Sequence, residues 1–125
     1  TITAVNLSGE LVGVIIIPGV SLSADALSSS AAELPYISMQ TPKTLIGKNT
    51  VDSMQSGCIF GAAAMIDGLI GKISKELKTQ LTNIIATGGL ADAIAPHCKA
   101  PITIKPFLTL DGLAELYRLN QKKSK

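Results

Sequence analysis

The residues in this sequence whose types and spacing suit ligand chemistry fall in two short stretches. Ile46-Gly47-Lys48-Asn49-Thr50 runs into a helical pattern carrying Met54-Gln55-Ser56-Gly57. Ile84-Ile85-Ala86-Thr87-Gly88-Gly89-Leu90-Ala91 is an apolar strand that breaks at a double glycine and opens a second helix. Residues without a Cβ let a flat ligand lie close to the backbone. The Thr50 hydroxyl stands at a helix start, beside amide groups that have no intrahelical acceptor. The two stretches predict two walls of a ligand cleft. A plain strand-to-helix turn at Gly88-Gly89, and a helix cap at Asn49 or Thr50, are the structural alternatives.

The elements that must position these residues are read from periodicity. Thr1 to Asn6 and Glu10 to Ile17 predict a hairpin turned at Ser8-Gly9, with Val14-Ile15-Ile16-Ile17 apolar enough to be covered on both faces. Ser21 or Ser23 is placed to cap a helix running to about Ala32, with Leu22, Ala26 and Leu27 inward. Pro35 and Pro42 break the next stretch, in which Tyr36-Ile37-Ser38-Met39 is a candidate short strand. The longest element follows, a helix from Asn49 or Thr50 to about Leu77. Its apolar positions Val51, Met54, Cys58, Ala62, Met65, Leu69 and Ile73 step by three and four. Gly57, Gly61, Gly68 and Gly71 lie inside it, each costing about 1 kcal/mol relative to alanine. They predict either close packing on a neighbouring element or room for a ligand or partner subunit. A buried strand at Asn83 to Thr87, a short helix from Leu90 to Ala95, a strand at Ile102-Thr103-Ile104 and a final amphipathic helix capped by Thr109 complete a layered α/β order.

Composition narrows the function. At 125 residues the chain is one domain's worth. A formal charge of +2 provides no large basic field, and with two Phe, two Tyr and no Trp there are few base-stacking platforms, so no nucleic-acid partner is expected. No run reaches the roughly 18 apolar residues of a membrane span. Cys58 and Cys98 lack metal-ligand spacing, and two thiols with no signal peptide opening the sequence predict a reducing, cytoplasmic setting. His97, the one histidine, has no acidic neighbour close in sequence and is not assigned to catalysis or metal binding. Asp67 sits in the glycine-bearing helix without an assignable role. Lys48 reads as a solvated loop residue. The chain begins at Thr1 on a β-type stretch, which predicts a fragment of something longer; residues 121–125 read as a flexible tail.

A resemblance rests on an ordered set of stretches. These are Ile17-Pro18-Gly19-Val20, Ile46-Gly47-Lys48-Asn49-Thr50-Val51, Met54-Gln55-Ser56-Gly57, Ile66-Asp67-Gly68, Ala86-Thr87-Gly88-Gly89-Leu90-Ala91 and Leu108-Thr109-Leu110-Asp111-Gly112-Leu113. In that order they resemble the C-terminal half of the type III pantothenate kinases, members of the actin-like ATPase superfamily with a ribonuclease H-like fold. The resemblance implies a C-terminal actin-like ATPase domain over residues 1–120, a mixed sheet opening with a hairpin and flanked by helices. Its first strand and phosphate loop would precede Thr1.

The resemblance further implies transfer of the ATP γ-phosphate to pantothenate, at the start of coenzyme A biosynthesis. It implies use of Mg²⁺ and a monovalent cation (K⁺ or NH₄⁺), and a homodimer. Thr50, with Asn49, would contact pantothenate; Thr87, Gly88 and Gly89 would contact the adenosine of ATP. The catalytic aspartate and phosphate cradle would belong to an N-terminal half. No catalytic residue and no metal ligand is therefore expected in this stretch, which alone should be inactive. A non-catalytic nucleotide-binding regulator of the same superfamily, or half of another sugar or metabolite kinase, are the alternatives.

Overall fold

Asn6 shapes the first element. In the computed structural model, which describes residues 1–31 and 33–123, β1 (Ile2–Val5) pairs antiparallel with β2 (Leu11–Ile15). The Asn6 carboxamide oxygen accepts from the amides of Ser8 (3.0 Å) and Glu10 (2.9 Å), and its Nδ2 donates to the Glu10 carboxylate at 2.7 Å. Gly9 closes the loop at φ +82°, a value that favours glycine. The turn is therefore a wider Asn6–Glu10 loop organised by one side chain. The pairing shifts between Ala4 and Val5, so Val12 is an extra residue on β2 and bulges the ladder.

The chain divides into two compact units, Thr1–Ile59 and Phe60–Lys125, with the division inside the longest helix. In the first unit, α1 (Val20–Ser30) follows Pro18-Gly19. Neither Ser21 nor Ser23 caps it. Gly19 is the N-cap, and Ser23 Oγ instead donates back to the Gly19 carbonyl at 3.0 Å. Its buried residue is Ala24, while Leu22, Ala26 and Leu27 are exposed, so the expected inward face is off by part of a turn. Ala32, the expected helix end, lies outside the described residues. The candidate strand Tyr36 to Met39 is irregular: the Ser38 carbonyl accepts from Gln55 Nε2 at 2.8 Å rather than from a ladder partner.

The helix α2 (Thr50–Glu76) supplies most of the buried residues: Met54, Gln55, Ser56, Cys58, Ile59, Ala62 and Ala63. Met54, Cys58 and Ala62 were legible from the three-four stepping, whereas Val51 and Met65 are exposed. By length and mean hydropathy α2 is also apolar enough to cross a membrane, although no unbroken apolar run in it reaches 18 residues. Its buried polar residues nonetheless bond to an irregular segment of the same unit, as in a packed domain helix. The four glycines do not pack closely: a Cβ built on Gly57, Gly61, Gly68 or Gly71 meets nothing within 4 Å.

The end of α2 is a Schellman motif. Thr79 N–H donates to the Ser74 carbonyl at 3.2 Å and Lys78 N–H to the Lys75 carbonyl at 3.3 Å, with Lys78 at φ +50°. The second unit then pairs β3 (Ile84–Ala86) parallel with β4 (Ile102–Ile104) across α3 (Ala91–Ile94) and a 3₁₀ turn (Ala95–His97). β3 is half-buried rather than buried. The strands thus form two separate two-stranded sheets within an α/β chain, not one mixed sheet. α4 (Leu108–Lys123) starts before Thr109, which therefore does not cap it, and takes in residues 121–123 of the expected tail; Ser124 and Lys125 lie outside the described residues. Leu110, Leu113, Leu116 and Tyr117 on α4 are exposed, as is Ile16 (83%) beyond β2, so no described residues cover the faces expected to be buried.

Candidate functional site

In the first unit, the candidate locus is the entry to α2. Asn49 is the cap: its Oδ1 accepts the Asp52 N–H at 2.9 Å, and its Nδ2 donates to the Asp52 carboxylate at 2.9 Å. Thr50 is the first helical residue, and its hydroxyl is exposed and engaged by no described group. The two sequence alternatives are divided between neighbours. Asn49 satisfies the helix, leaving the Thr50 hydroxyl available. Asp52 places a carboxylate in the first turn, where it complements the positive end of the helix dipole.

The approach to this locus is held by three residues. A Cβ on Gly47 would stand 2.6 Å from Ser53 Cα, so only glycine lets the loop cross the first turn of α2. Gln55 and Ser56, both buried, donate to the carbonyls of Ser38 and Leu45 and tie residues 38–45 to α2. Buried hydroxyl and amide groups must find such partners, because leaving one unmade costs about 1–3 kcal/mol. The Asn49-x-x-Asp52 spacing was a readable capping signal; nothing local marked Gly47, Gln55 or Ser56 as anchors.

In the second unit, Thr87, Gly88 and Gly89 lie exposed where β3 ends. Gly88 has φ +101°, and its carbonyl accepts the Ala91 N–H at 3.1 Å, closing a turn into α3. A Cβ on either glycine meets nothing within 4 Å, so the space beside this backbone is open. Gly89 keeps an ordinary φ, so a side chain there fills that space without backbone strain, whereas any side chain at Gly88 is strained. With four residues, α3 is too short to provide a helix-dipole site. What the double glycine offers is therefore clearance.

The structure brings Asn49 and Thr50 together at one helix mouth, and Thr87, Gly88 and Gly89 together at one strand end, each within its own unit. Burial pushes both the Cys58 and Cys98 thiols up, and the Asp67 charge adds to the effect at Cys98. Among the described residues no three His, Cys, Asp or Glu side chains converge to hold a metal. His97 packs its ring edge-on against Phe60, with centroids 4.9 Å apart at 85°. Asp67, unassigned from sequence, accepts the backbone amides of Lys99 (2.8 Å) and Ala100 (3.0 Å). Those two bonds hold its carboxyl below the ordinary aspartate range.

An α/β chain with an open double-glycine strand end and a capped helix mouth carrying an unengaged hydroxyl has the parts of a small-molecule-binding protein. Comparison with known sequences gives the family. The profile of the type III pantothenate kinases matches residues 1–72. The type III pantothenate kinase of Roseiflexus sp. (strain RS-1) is 42% identical over 121 residues, covering 97% of this chain and 47% of the relative. That of Exiguobacterium sp. (strain ATCC BAA-1283 / AT1b) is 44% identical over 110 residues, 88% of this chain and 42% of the relative. That of Bacillus cytotoxicus is 41% identical over 116 residues, 93% of this chain and 44% of the relative. The chain belongs to the type III pantothenate kinase family, and it spans about half the length of the curated relatives it matches.

Proposed function

We propose that this chain is the C-terminal part of a pantothenate kinase that transfers the γ-phosphate of ATP to pantothenate, the first step of coenzyme A biosynthesis. The observation that carries this reading is 42% identity to a type III pantothenate kinase across 97% of the chain. In this reading residues 1–120 form the C-terminal domain of an actin-like ATPase, and the protein is cytoplasmic. Thr50, assisted by Asn49, binds pantothenate; Thr87, Gly88 and Gly89 bind the adenosine of ATP. The free Thr50 hydroxyl supports the first assignment and the clearance beside Gly88 and Gly89 the second.

ATP fits what these residues offer, because a nucleoside can lie against backbone that carries no Cβ. Mg²⁺ and a monovalent cation (K⁺ or NH₄⁺) would neutralise phosphate charge in such a transfer. We assign their ligands, with the catalytic base, to the half of the relatives that this chain does not span. In this reading the chain is active only as part of the complete protein. The homodimer is supported by the exposed 4-3-4-3 stripe Gly57, Gly61, Ala64, Gly68, Gly71, where another helix can approach closely.

The test is ADP release by the complete protein with and without pantothenate. Release that depends on pantothenate supports the kinase. ATP binding without pantothenate-dependent release would replace it with a nucleotide-binding regulator.

A further inference from the structure

The geometry assigns Asp67 as a positioning residue for the glycine loop at Thr87-Gly88-Gly89, acting from α2 through the start of β4; this rests on the reading of that loop as the nucleotide site. The path can be followed bond by bond within the second unit. Asp67 Oδ2 accepts the Lys99 N–H at 2.8 Å and Oδ1 the Ala100 N–H at 3.0 Å. Pro101 has no N–H, so the three residues entering β4 have no backbone donor left for any other partner. β4 then runs beside β3 with Ile102 opposite Ile84 and Ile104 opposite Ala86. The last link is Lys105 N–H to the Ala86 carbonyl at 2.8 Å, one residue before Thr87.

A parallel pair of three residues per strand cannot hold its own register, since so short a ladder contributes few bonds. Its position must be fixed from outside. Asp67 does not act alone in this. Phe60, Ala63 and Asp67 lie at i, i+3 and i+7 on one face of α2, and they meet His97, Cys98 and Lys99-Ala100 in turn. The first two contacts are an edge-to-face ring pair and a thiol 3.9 Å from a carbonyl, both weak. Asp67 supplies two charge-assisted bonds to consecutive amides. Loss of them frees the entry of β4, and the end of β3 moves with it.

The experiment uses the complete enzyme and steady-state KM values for both substrates in Asp67→Asn and Gly89→Val. Asp67→Asn is expected to raise KM for ATP about tenfold, the loss of one charge-assisted bond, with KM for pantothenate within about twofold. Gly89→Val, which fills the open space directly, is expected to raise KM for ATP as well. If Gly89→Val raises it and Asp67→Asn does not, the positioning role is overturned and the nucleotide site stands. If Gly89→Val leaves it unchanged, both are overturned. Hydrogen exchange of the wild-type enzyme is a second readout that needs no variant. Slow exchange at Lys99 and Ala100 is expected, and fast exchange at both would overturn the proposal even were Asp67→Asn not to fold.

Discussion

The backbone of Gly47 crosses the first turn of α2 directly over Ser53, close enough that a Cβ on Gly47 would lie 2.6 Å from Ser53 Cα and 2.6 Å from its Oγ. Ser53 is itself fixed, because its N–H and its Oγ both donate to the Asn49 carbonyl, at 3.0 Å and 2.7 Å. Neither side can yield cheaply. Gly47→Ala is therefore expected to destabilise the complete protein by about 1–3 kcal/mol, the usual cost of overpacking. It should also raise KM for pantothenate, because the loop carrying Asn49 must lift. Chemical denaturation and substrate titration check the two effects together.

Asn49 caps α2 while the adjacent Thr50 hydroxyl is left unengaged, so under the proposed reading their variants should separate. Asn49→Ala removes the acceptor for the Asp52 N–H and should cost about 1 kcal/mol of stability. Its effect on pantothenate KM should be smaller than that of Thr50→Val. Thermal unfolding beside kinetics provides the comparison. Equal kinetic effects would mean that the cap, not the hydroxyl, governs the site.

Lys78 holds a left-handed conformation at the Schellman end of α2, where a side chain costs roughly 1–2 kcal/mol. Lys78→Gly is expected to recover about 1 kcal/mol, offset in part by the greater freedom glycine gives the unfolded chain. An upward shift in the denaturation midpoint is the predicted readout, with no change in either KM.

Acidification tests the two bonds at Asp67. Its folded carboxyl sits below the ordinary aspartate range, first because of the Lys99 and Ala100 amides and last because of the Lys99 charge. As pH falls the unfolded chain takes up this proton first. The contribution is whole above the unfolded value and disappears as pH falls through the folded one. The stability gap between wild type and Asp67→Asn should therefore be constant near neutrality and close in acid. A gap that stays open to the lowest pH would contradict this role.

The sequence made some of this legible and concealed the rest for definite reasons. The three-four stepping located α2 almost to the residue, because a 27-residue helix averages over many positions. The double glycine located the end of β3, because glycine pairs punctuate structure strongly. The faces of β2, α1 and α4 were misjudged, since apolar periodicity shows what is able to pack, not what is present to pack against it. Gly47, Gln55, Ser56 and Asp67 act through partners 6 to 33 residues away, and no local pattern encodes such pairings.

The division of labour between the two loci is tested most directly by KM values of Thr50→Val and Gly89→Val in the complete enzyme, each measured for both substrates. Thr50→Val should raise KM for pantothenate with that for ATP nearly unchanged, and Gly89→Val should do the reverse. Two variants that shift both constants alike would contradict separate pantothenate and adenosine sites on this chain.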